Sequence, residues 1–223
     1  MRTMLRWLVR LAVIGAAFCT VWVIAYRFFN PPITSLMVME RFRTDKLEYD
    51  WRPLGQISEN LQHAVIASED SPFCAHYGFN LKEIYRALED TERRRGGSSI
   101  TQQTAKNAFL WPDASWLRKG VEVGFTVLME VFWPKERILE IYLNIAEFDT
   151  GVFGAEAAAQ QYFGVSAKDL TTDQAARLAW VLPSPRRRDA RNVNLKTVKQ
   201  IRNDIAYIRR NEDYDCLPTD ESD

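Results

Sequence analysis

An uncharged apolar run near the amino terminus constrains the fold of this chain more than any other feature. Residues 11–26 carry no charge, within a stretch at 7–29 that reads WLVRLAVIGAAFCTVWVIAYRFF. With Arg10 reaching toward the headgroups, this stretch approaches the ~20 residues that a helix needs to cross a bilayer. Because Arg2 and Arg6 also precede the apolar centre, the amino terminus is expected on the cytoplasmic side and the rest of the chain outside.

A cleaved signal peptide is the alternative interpretation of this stretch. The apolar run is long for a signal peptide, and no small-x-small cleavage site is followed by a polar start. Cys19 fails as a lipoprotein site because Phe18 before it is too large. We therefore predict an uncleaved anchor over residues 1–29 and a linker or membrane-proximal segment over residues 30–54. The apolar residues at 36–39 could rest on the membrane or pack on the domain.

The composition argues against several other classes of protein. Lys+Arg and Asp+Glu both number 29 among 223 residues, so net charge gives no reason to expect a nucleic-acid partner. The three cysteines, Cys19, Cys74 and Cys216, are widely spaced and imply neither a disulfide framework nor a metal site. The two histidines, His63 and His76, are too few for a histidine-built metal centre.

Helical periodicity and capping residues dominate the remainder of the chain. Ser58 is predicted to cap a helix that ends near Glu69. No period-two strand pattern and no internal repeat are found. The sequence therefore predicts an all-α domain over residues 55–212 and an acidic, disordered tail over residues 213–223. Further helices are predicted at residues 80–93, 117–133, 135–147, 155–163, 171–182 and 195–210.

Residues 67–78, A-S-E-D-S-P-F-C-A-H-Y-G, form the first motif with chemical character. Glu69 and Asp70 close a predicted helix, and Pro72 ends it because the residue before a proline is pushed out of the helical region. A carboxylate at a helix-to-loop transition can face a cleft while its backbone stays anchored, which makes Glu69 a candidate general base. An acidic pair at a helix end is more often simply solvated, so this motif alone leaves both interpretations open.

A second motif, G-G-S-S-I-T-Q-Q-T-A-K-N, occupies residues 96–107. Its hydroxyl groups stand where a helix would begin, and free amide groups at such a start attract anions. Gln102 and Gln103 could grip sugar hydroxyls or acetamides, and Lys106 lies one turn further on. The pattern is not a P-loop, because no strand precedes it and the lysine does not follow the second glycine. An ordinary glycine-containing loop with serine caps is the alternative.

A third cluster lies on the helix predicted at 117–133, where Arg118, Lys119 and Glu122 share one face. It could be a surface ion-pair cluster or a charged lining of a cleft. Two carboxylates on different helices suggest glycoside hydrolysis, which requires an acid to protonate the leaving group. A phosphate-type leaving group departs ionised and needs cations instead. Because cations accompany Glu69 and Glu122, the motifs favour glycosyl transfer from a phosphate-linked sugar.

In their order along the chain, these motifs resemble those of the peptidoglycan glycosyltransferases, glycosyltransferase family 51. The resemblance covers residues 55–185 and includes R-K-G-V-E, K-E-R-I-L-E-I-Y-L-N and G-A-E-A-A-A-Q-Q-Y-F-G besides the first two motifs. Because no S-x-x-K motif or transpeptidase region follows, the chain resembles the monofunctional biosynthetic form. The resemblance implies a lysozyme-like helical fold behind the single transmembrane helix.

The resemblance also implies the reaction, the partners and the location. The expected enzyme polymerises lipid II into β-1,4-linked glycan strands, inverts the anomeric carbon and releases undecaprenyl pyrophosphate. Its expected partners are lipid II, the growing undecaprenyl-pyrophosphoryl glycan, the membrane and other cell-wall synthesis or division proteins. No cofactor is required, although Mg²⁺ or Mn²⁺ assists some members. The expected location is the bacterial inner membrane, with the catalytic domain periplasmic.

Residue by residue, Glu69 matches the base that deprotonates the acceptor's sugar 4-hydroxyl, and Glu122 matches a second essential carboxylate. The positions matched to the pyrophosphate site are Lys106, Arg118 and Lys119. Those matched to the substrate-lining motif are Ser98, Thr101, Gln102, Gln103 and Asn107. Those expected to support the base are Asp70, Phe73 and His76.

The chain departs from the family pattern at Ala114, where many members carry an arginine. The basic run at residues 93–95 could compensate for the missing charge. Two alternatives to the polymerase also remain at this point: a lysozyme-like enzyme that cuts the same glycan, and a membrane-anchored cell-wall scaffold with an inactive site.

Overall fold

The computed structural model describes residues 2–80, Tyr85, 97–211 and 214–217. The helix predicted at residues 80–93 lies almost entirely outside this described part, and the basic run at 93–95 lies fully outside it.

The first helix, α1, spans Arg2–Phe28 and is long and apolar enough to cross a membrane. Most of its surface is exposed, but its carboxyl-terminal end packs on the domain. Val23 is fully buried, and its carbonyl accepts a hydrogen bond of 2.8 Å from the Trp133 indole. The predicted apolar helix is therefore present, and its last turns belong to the folded core.

The segment at residues 30–54, predicted as a linker, folds onto the domain. It forms α2 (Ser35–Thr44), β1 (Glu48–Tyr49) and a 3-10 turn (Leu54–Gln56). Met37 and Glu40 of α2 are both fully buried. The apolar residues at 36–39 thus pack on the domain through Met37, one of the two arrangements that the sequence left open.

Seven further helices are described after this segment. They are α3 (Glu59–Glu69), α4 (Ile100–Phe109), α5 (Trp116–Phe132), α6 (Lys135–Ile145), α7 (Ala155–Phe163), α8 (Thr172–Val181) and α9 (Leu195–Asn211). Helix α3 packs against α8 and α9, whereas α4 packs against α5 and α6. The catalytic candidates on α3, α4 and α5 therefore come from neighbouring layers of one helical core, and the all-α prediction is confirmed.

Capping explains where several of these helices begin. The Ser58 hydroxyl accepts a hydrogen bond from the Asn60 amide at 3.2 Å and starts α3, as predicted. Thr171 and Gln174 form a capping box at the start of α8. Each hydroxyl satisfies an amide that has no partner within its helix.

A small sheet differs from the prediction that the domain has no strands. The strands β2 (Glu147–Asp149) and β3 (Val152–Phe153) are antiparallel, and β1 adds to β3 in parallel. Runs of two or three residues are too short for alternation to reveal them. A Cβ at Gly151 or Gly154, both at positive φ, would lie 2.7 Å from a backbone carbonyl oxygen, so the connections require glycine.

The cysteines contradict the sequence prediction. Cys74 and Cys216 form a disulfide, although their spacing gave no sign of a disulfide framework. The two cysteines are 142 residues apart in the sequence, and they can form a disulfide only because the tertiary fold brings them together. The spacing of cysteines along the chain does not reveal such a contact.

The described part of the predicted disordered tail, residues 214–217, packs on α3. The Tyr214 ring lies 4.5 Å from the His63 ring between centroids, and Leu217 is buried. These apolar side chains, together with the disulfide, outweigh the acidic composition that suggested disorder.

Candidate active site

The carboxylate of Glu69 lies at the last residue of α3, where the chain leaves the helix. Its Oε2 accepts a 2.8 Å hydrogen bond from Gln103 Nε2 on α4, whereas Oε1 is buried and has no hydrogen-bond partner within the described part of the chain. Burial raises the pKa of Glu69, and the nearby charge of Asp70 adds to this rise. The hydrogen bond from Gln103 and the positive charges of Arg188 and Lys106 act in the opposite direction but do not cancel it. One oxygen is thus held in place, and the other makes no hydrogen bond to the described residues.

Gln103 is itself oriented by Tyr142 of α6. The Tyr142 hydroxyl donates to Gln103 Oε1 at 3.3 Å, which turns the amide nitrogen toward Glu69. Burial, followed by the charges of Glu69 and Asp70, raises the pKa of Tyr142 well above its usual range and keeps the phenol protonated. Gln103 therefore contacts the candidate base directly, at a position where we expected a substrate-lining residue.

The next residue, Asp70, holds the scaffold together. Its Oδ2 accepts from the Ile100 amide at 3.0 Å, and its Oδ1 lies 2.8 Å from His76 Nε2. A carboxylate at the start of α4 satisfies a free amide and interacts favourably with the helix dipole. Asp70 thus joins the end of α3 to the start of α4 and contacts His76, while the supporting role expected of these two residues stays a prediction.

A buried polar network packs against the loop at residues 70–78. Phe73 is fully buried, and the ammonium of Lys135 lies 4.6 Å from its ring centroid. Lys135 donates to the His76 carbonyl at 2.7 Å and to Glu130 Oε1 at 2.8 Å, and the Thr101 hydroxyl donates to the same oxygen at 2.5 Å. Thr101, expected to line the substrate, is buried within this network.

Gln102 also differs from its expected role. It is buried and forms a capping box with Ser99, in which each side chain bonds the other residue's backbone amide. The Ser99 hydroxyl donates to the Gly78 carbonyl and fixes the loop to α4. Gln102 therefore starts a helix rather than gripping a sugar, a distinction that required knowing where α4 begins.

The second carboxylate, Glu122 of α5, is only 2% exposed. Its Oε2 accepts from Arg118 Nη1 at 2.7 Å, and its Oε1 accepts from the Lys119 ammonium. Because cations occupy both oxygens, Glu122 is placed to hold Arg118 and Lys119 rather than to transfer a proton.

A chain of polar contacts links the two carboxylates. From Glu69 it passes to Gln103, whose Nε2 lies 3.4 Å from the Ser98 carbonyl oxygen. The Ser98 hydroxyl in turn accepts from Lys119 at 3.4 Å, and Lys119 binds Glu122. The structure therefore brings both glutamates and three of the predicted binding residues into one site.

Lys106 is an exposed cation in the same site, with no ion-pair partner within 4 Å in the residues described. The pKa of Lys106 is lowered, chiefly because the surrounding protein desolvates the ammonium. The positive charges of Arg118 and Lys119 lower the pKa further, and the negative charge of Glu122 opposes the change. The side chain of Asn107, the next residue, is half-buried and makes no hydrogen bond in this part of the structure. Lys106 and Asn107 are therefore available to a ligand.

The site contains one cation that the sequence did not single out. This cation is Arg188, which follows α8. Its guanidinium donates to the Trp180 carbonyl at 2.6 Å and lies 4.9 Å from the Trp180 ring centroid. The charge of Arg188 also lowers the pKa of Glu69. Its neighbour Arg186 instead pairs with Glu40 and Glu147. The run of three arginines at residues 186–188 does not show by itself which arginine belongs to the site.

The described residues contain no cluster of three or more His, Cys, Asp or Glu side chains that could hold a metal ion. Both oxygens of Glu122 bind cationic side chains, so the charged residues of the site do not form a ligand set for a divalent cation. The prediction about Mg²⁺ or Mn²⁺ accordingly remains untested.

A helical domain with an apolar amino-terminal helix, and a buried carboxylate beside cations, fits a membrane-associated glycosyltransferase. A family model described as transglycosylase matches residues 36–209, and the chain belongs to that family. This membership confirms the family recognised from the motifs and its lysozyme-like helical fold.

Individual relatives agree with the family match. A biosynthetic peptidoglycan transglycosylase of Jannaschia sp. (strain CCS1) is 48% identical over 220 residues, which cover 97% of this chain and 91% of the relative. A protein of the same description from Caulobacter vibrioides is 48% identical over 202 residues, 87% of this chain and 88% of the relative. A third, from Chromohalobacter salexigens, is 54% identical over 157 residues, which cover 69% of this chain and 67% of the relative.

Proposed function

We propose that this chain is a biosynthetic peptidoglycan glycosyltransferase that polymerises lipid II, with Glu69 as its general base. The observation that carries the proposal is the unpartnered Oε1 of Glu69, in a site where Lys106 is also unpaired. A base and a free cation are the two groups that glycosyl transfer from a pyrophosphate-linked sugar requires.

In this reaction, Oε1 of Glu69 takes the proton from the 4-hydroxyl of the acceptor sugar. The acceptor oxygen attacks the anomeric carbon of the growing chain, on the face opposite the pyrophosphate. The bond between that carbon and the phosphate oxygen breaks, and its electron pair leaves with undecaprenyl pyrophosphate, so the configuration inverts. Burial of Glu69 supports this role, because a raised pKa brings the base closer to the operating pH.

The leaving pyrophosphate needs positive charge rather than a proton. Among the described residues Lys106 has no carboxylate partner within 4 Å, and Arg118 and Lys119 are held side by side by Glu122. We assign Glu122 the task of fixing these two cations at the pyrophosphate. A raised pKa of Glu69 would also suit the acid of a glycan-cleaving enzyme, but such an enzyme has no use for the cations.

The disulfide supports an extracytoplasmic catalytic domain. Disulfides persist in oxidising compartments such as the bacterial periplasm, and the bond between Cys74 and Cys216 lies in the catalytic domain. The arginines at positions 2, 6 and 10 favour a cytoplasmic amino terminus independently. Both observations support a site on the periplasmic side of the inner membrane, where it would meet lipid II and other cell-wall synthesis or division proteins.

The decisive experiment is polymerisation of purified lipid II by the full chain, with Glu69→Gln beside it. Because Glu59 stands exposed at the other end of α3, Glu59→Gln is a matched control. We expect glycan strands from the wild type and the control, and a rate at least about 10²-fold lower from Glu69→Gln.

Three outcomes would contradict the proposal. Failure of the folded wild type to form glycan would exclude the polymerase. Cleavage of finished peptidoglycan would indicate the hydrolase, and an undiminished rate in Glu69→Gln would assign the base elsewhere. The same assay with a chelator tests the cation requirement: we expect the reaction to proceed without added Mg²⁺ or Mn²⁺.

A further inference from the structure

We propose that the Cys74–Cys216 disulfide is a redox-sensitive clamp that positions the loop at residues 70–78, so that the rate of glycosyl transfer depends on oxidation of this pair. The inference rests on the proposed role of Glu69, which directly precedes the loop. Cys74 and Cys216 act here as positioning residues, since neither belongs to the reacting groups.

The first half of the disulfide lies in the part of the loop that orients the base. Cys74 is the middle residue of the 3-10 turn at Phe73–Ala75, between Asp70 and His76, which bond to each other. Phe73 anchors the inner side of this turn in the core. The disulfide holds the same turn through the adjacent residue, so the turn is attached to the domain on two sides.

The second half is anchored on the same helix that ends in Glu69. Tyr214 packs against His63 in the middle of α3, and Arg209 Nε donates to His63 Nδ1 at 2.9 Å. Leu217, next to Cys216, is buried. The disulfide thus closes a ring that runs from α3 through the loop, across the sulfur atoms and back along residues 214–217 to α3.

Opening this ring would remove the covalent restraint on the outer side of the loop. Ser71, Ala75 and Tyr77 are exposed there and provide little packing. The alignment of Glu69 with Gln103 would then depend on non-covalent contacts: those of Asp70 and Phe73, and the hydrogen bonds that the His76 and Gly78 carbonyls accept from Lys135 and Ser99. Displacements of about 1 Å at a reacting group can cost up to about 10²-fold in rate, so a loosened loop is expected to slow the chemical step.

The chemistry of the clamp is thiol–disulfide exchange. Two thiols give up two electrons and two protons as the sulfur–sulfur bond forms, and the oxidant takes them up: a protein disulfide becomes a dithiol, or oxidised glutathione becomes two glutathione thiols. The reverse exchange with a dithiol reopens the ring.

The test measures lipid II polymerisation by the full chain in vesicles, before and after treatment with dithiothreitol. We expect reduction to lower kcat about tenfold with little change in KM, and oxidised glutathione to restore it. Cys216→Ser should show the low rate with or without dithiothreitol. Cys19→Ser, which alters the free cysteine of α1, should respond as the wild type does.

A second readout separates positioning from stability. The charged and titratable groups around Glu69 are Asp70, Lys106, Arg188 and Tyr142. If the loop loosens, water reaches Glu69 and its pKa falls, so the acid limb of the pH–rate profile moves to lower pH in the reduced protein. A disulfide that only stabilises the fold would lower the melting temperature and leave the profile of the remaining activity in place.

An active enzyme whose rate and pH profile are the same in the oxidised, reduced and Cys216→Ser proteins would overturn the clamp and leave the proposed function intact. An inactive oxidised wild type would overturn the proposed function instead.

Discussion

Glu69 and Glu122 are both glutamates near one site, yet their oxygens have different surroundings. Glu69 has one oxygen bound by an amide and one left unpartnered, whereas both oxygens of Glu122 are bound by cations. Burial raises the pKa of Glu69 and so disfavours its carboxylate form, whereas the carboxylate of Glu122 is bound by two cationic side chains. The two residues should therefore respond in opposite ways to removal of their charge.

Replacing Glu69 with glutamine should leave the melting temperature at pH 8 unchanged or raise it. Because the pKa of Glu69 is higher in the folded than in the unfolded chain, its contribution to stability is present at pH values below the unfolded-state pKa. This contribution is lost as the pH rises through the folded-state pKa. Glutamine cannot ionise, so the variant does not lose stability in this way. A clear fall in melting temperature at pH 8 would show that the ionised carboxylate stabilises the fold.

Replacing Glu122 with glutamine should instead destabilise the protein by about 2–3 kcal/mol, because Arg118 and Lys119 lose their buried partner. For a chain of this length the melting temperature should fall by about 5–10 °C. Thermal unfolding followed by circular dichroism measures both glutamine variants under one condition. Equal melting temperatures for the two would contradict the distinction between their roles.

Gln103→Leu should move the acid limb of the pH–rate profile to higher pH. The hydrogen bond from Gln103 lowers the pKa of Glu69, so its loss leaves burial less opposed and delays ionisation of the base. Initial rates of lipid II polymerisation across the acid range measure the shift. Gln200→Leu on the exposed face of α9 is the control and should leave the profile unchanged.

At the scale of the element, α5 has two faces of different character. Its inner face buries Glu122, Phe125 and Met129 in the domain. Its outer face is apolar and exposed, and contact between so large an apolar patch and water is unfavourable. The exposed residues of this face are Trp116, Leu117, Gly120, Val123, Gly124, Val127 and Val131. Because the carboxyl-terminal turns of α1 pack beside α5, this face is expected to contact lipid.

A fluorescent probe sensitive to polarity tests this contact. Attached to Val127→Cys in the Cys19→Ser background, with the chain in vesicles, it should show blue-shifted emission and quenching by lipids brominated near the interface. The same probe at Gln200→Cys should report water, since α9 exposes that residue on a polar face. Identical spectra at the two positions would show that α5 does not enter the bilayer.

At the scale of the whole molecule, Arg137 of α6 fastens the end of α1 to the domain, in addition to the Trp133 bond to Val23. Its guanidinium donates two hydrogen bonds to the Tyr26 carbonyl, at 3.0 and 2.9 Å, one to the Phe29 carbonyl at 2.9 Å and one to Asn30 Oδ1 at 3.0 Å. Four bonds from one guanidinium fork fix the direction in which α1 leaves the domain.

Arg137→Lys should loosen this joint while keeping the charge, because an ammonium cannot reproduce the fork. Loss of a charge-assisted hydrogen bond costs about 1.5–3 kcal/mol, so chymotryptic cleavage near Phe28 and Phe29 should be at least about tenfold faster. Arg202→Lys on the exposed face of α9 provides the control. Unchanged cleavage in Arg137→Lys would mean that packing of α1 alone holds the joint.

Local signals in the sequence were sufficient for much of this structure. Helix boundaries followed from caps such as Ser58 and from apolar periodicity, both of which act within a few residues. Glu69 could be proposed as the base because a helix-to-loop transition is also a local feature.

Features that depend on distant residues could not be predicted. The roles of Thr101 and Gln102 required knowing that one faces Glu130 and that the other caps α4. Arg188 could not be separated from Arg186, since each is defined by what the fold brings against it.

The position of the disulfide also sets an order of events during export. On the proposed topology, with a cytoplasmic amino terminus, Cys74 would cross the membrane before Cys216, and the remaining cysteine, Cys19, would stay in α1. Cys74 would therefore have one partner within the chain and no competing one outside the bilayer. The bond would form only after α9 had been translocated, so the oxidised form would mark a chain whose residues up to Cys216 have crossed.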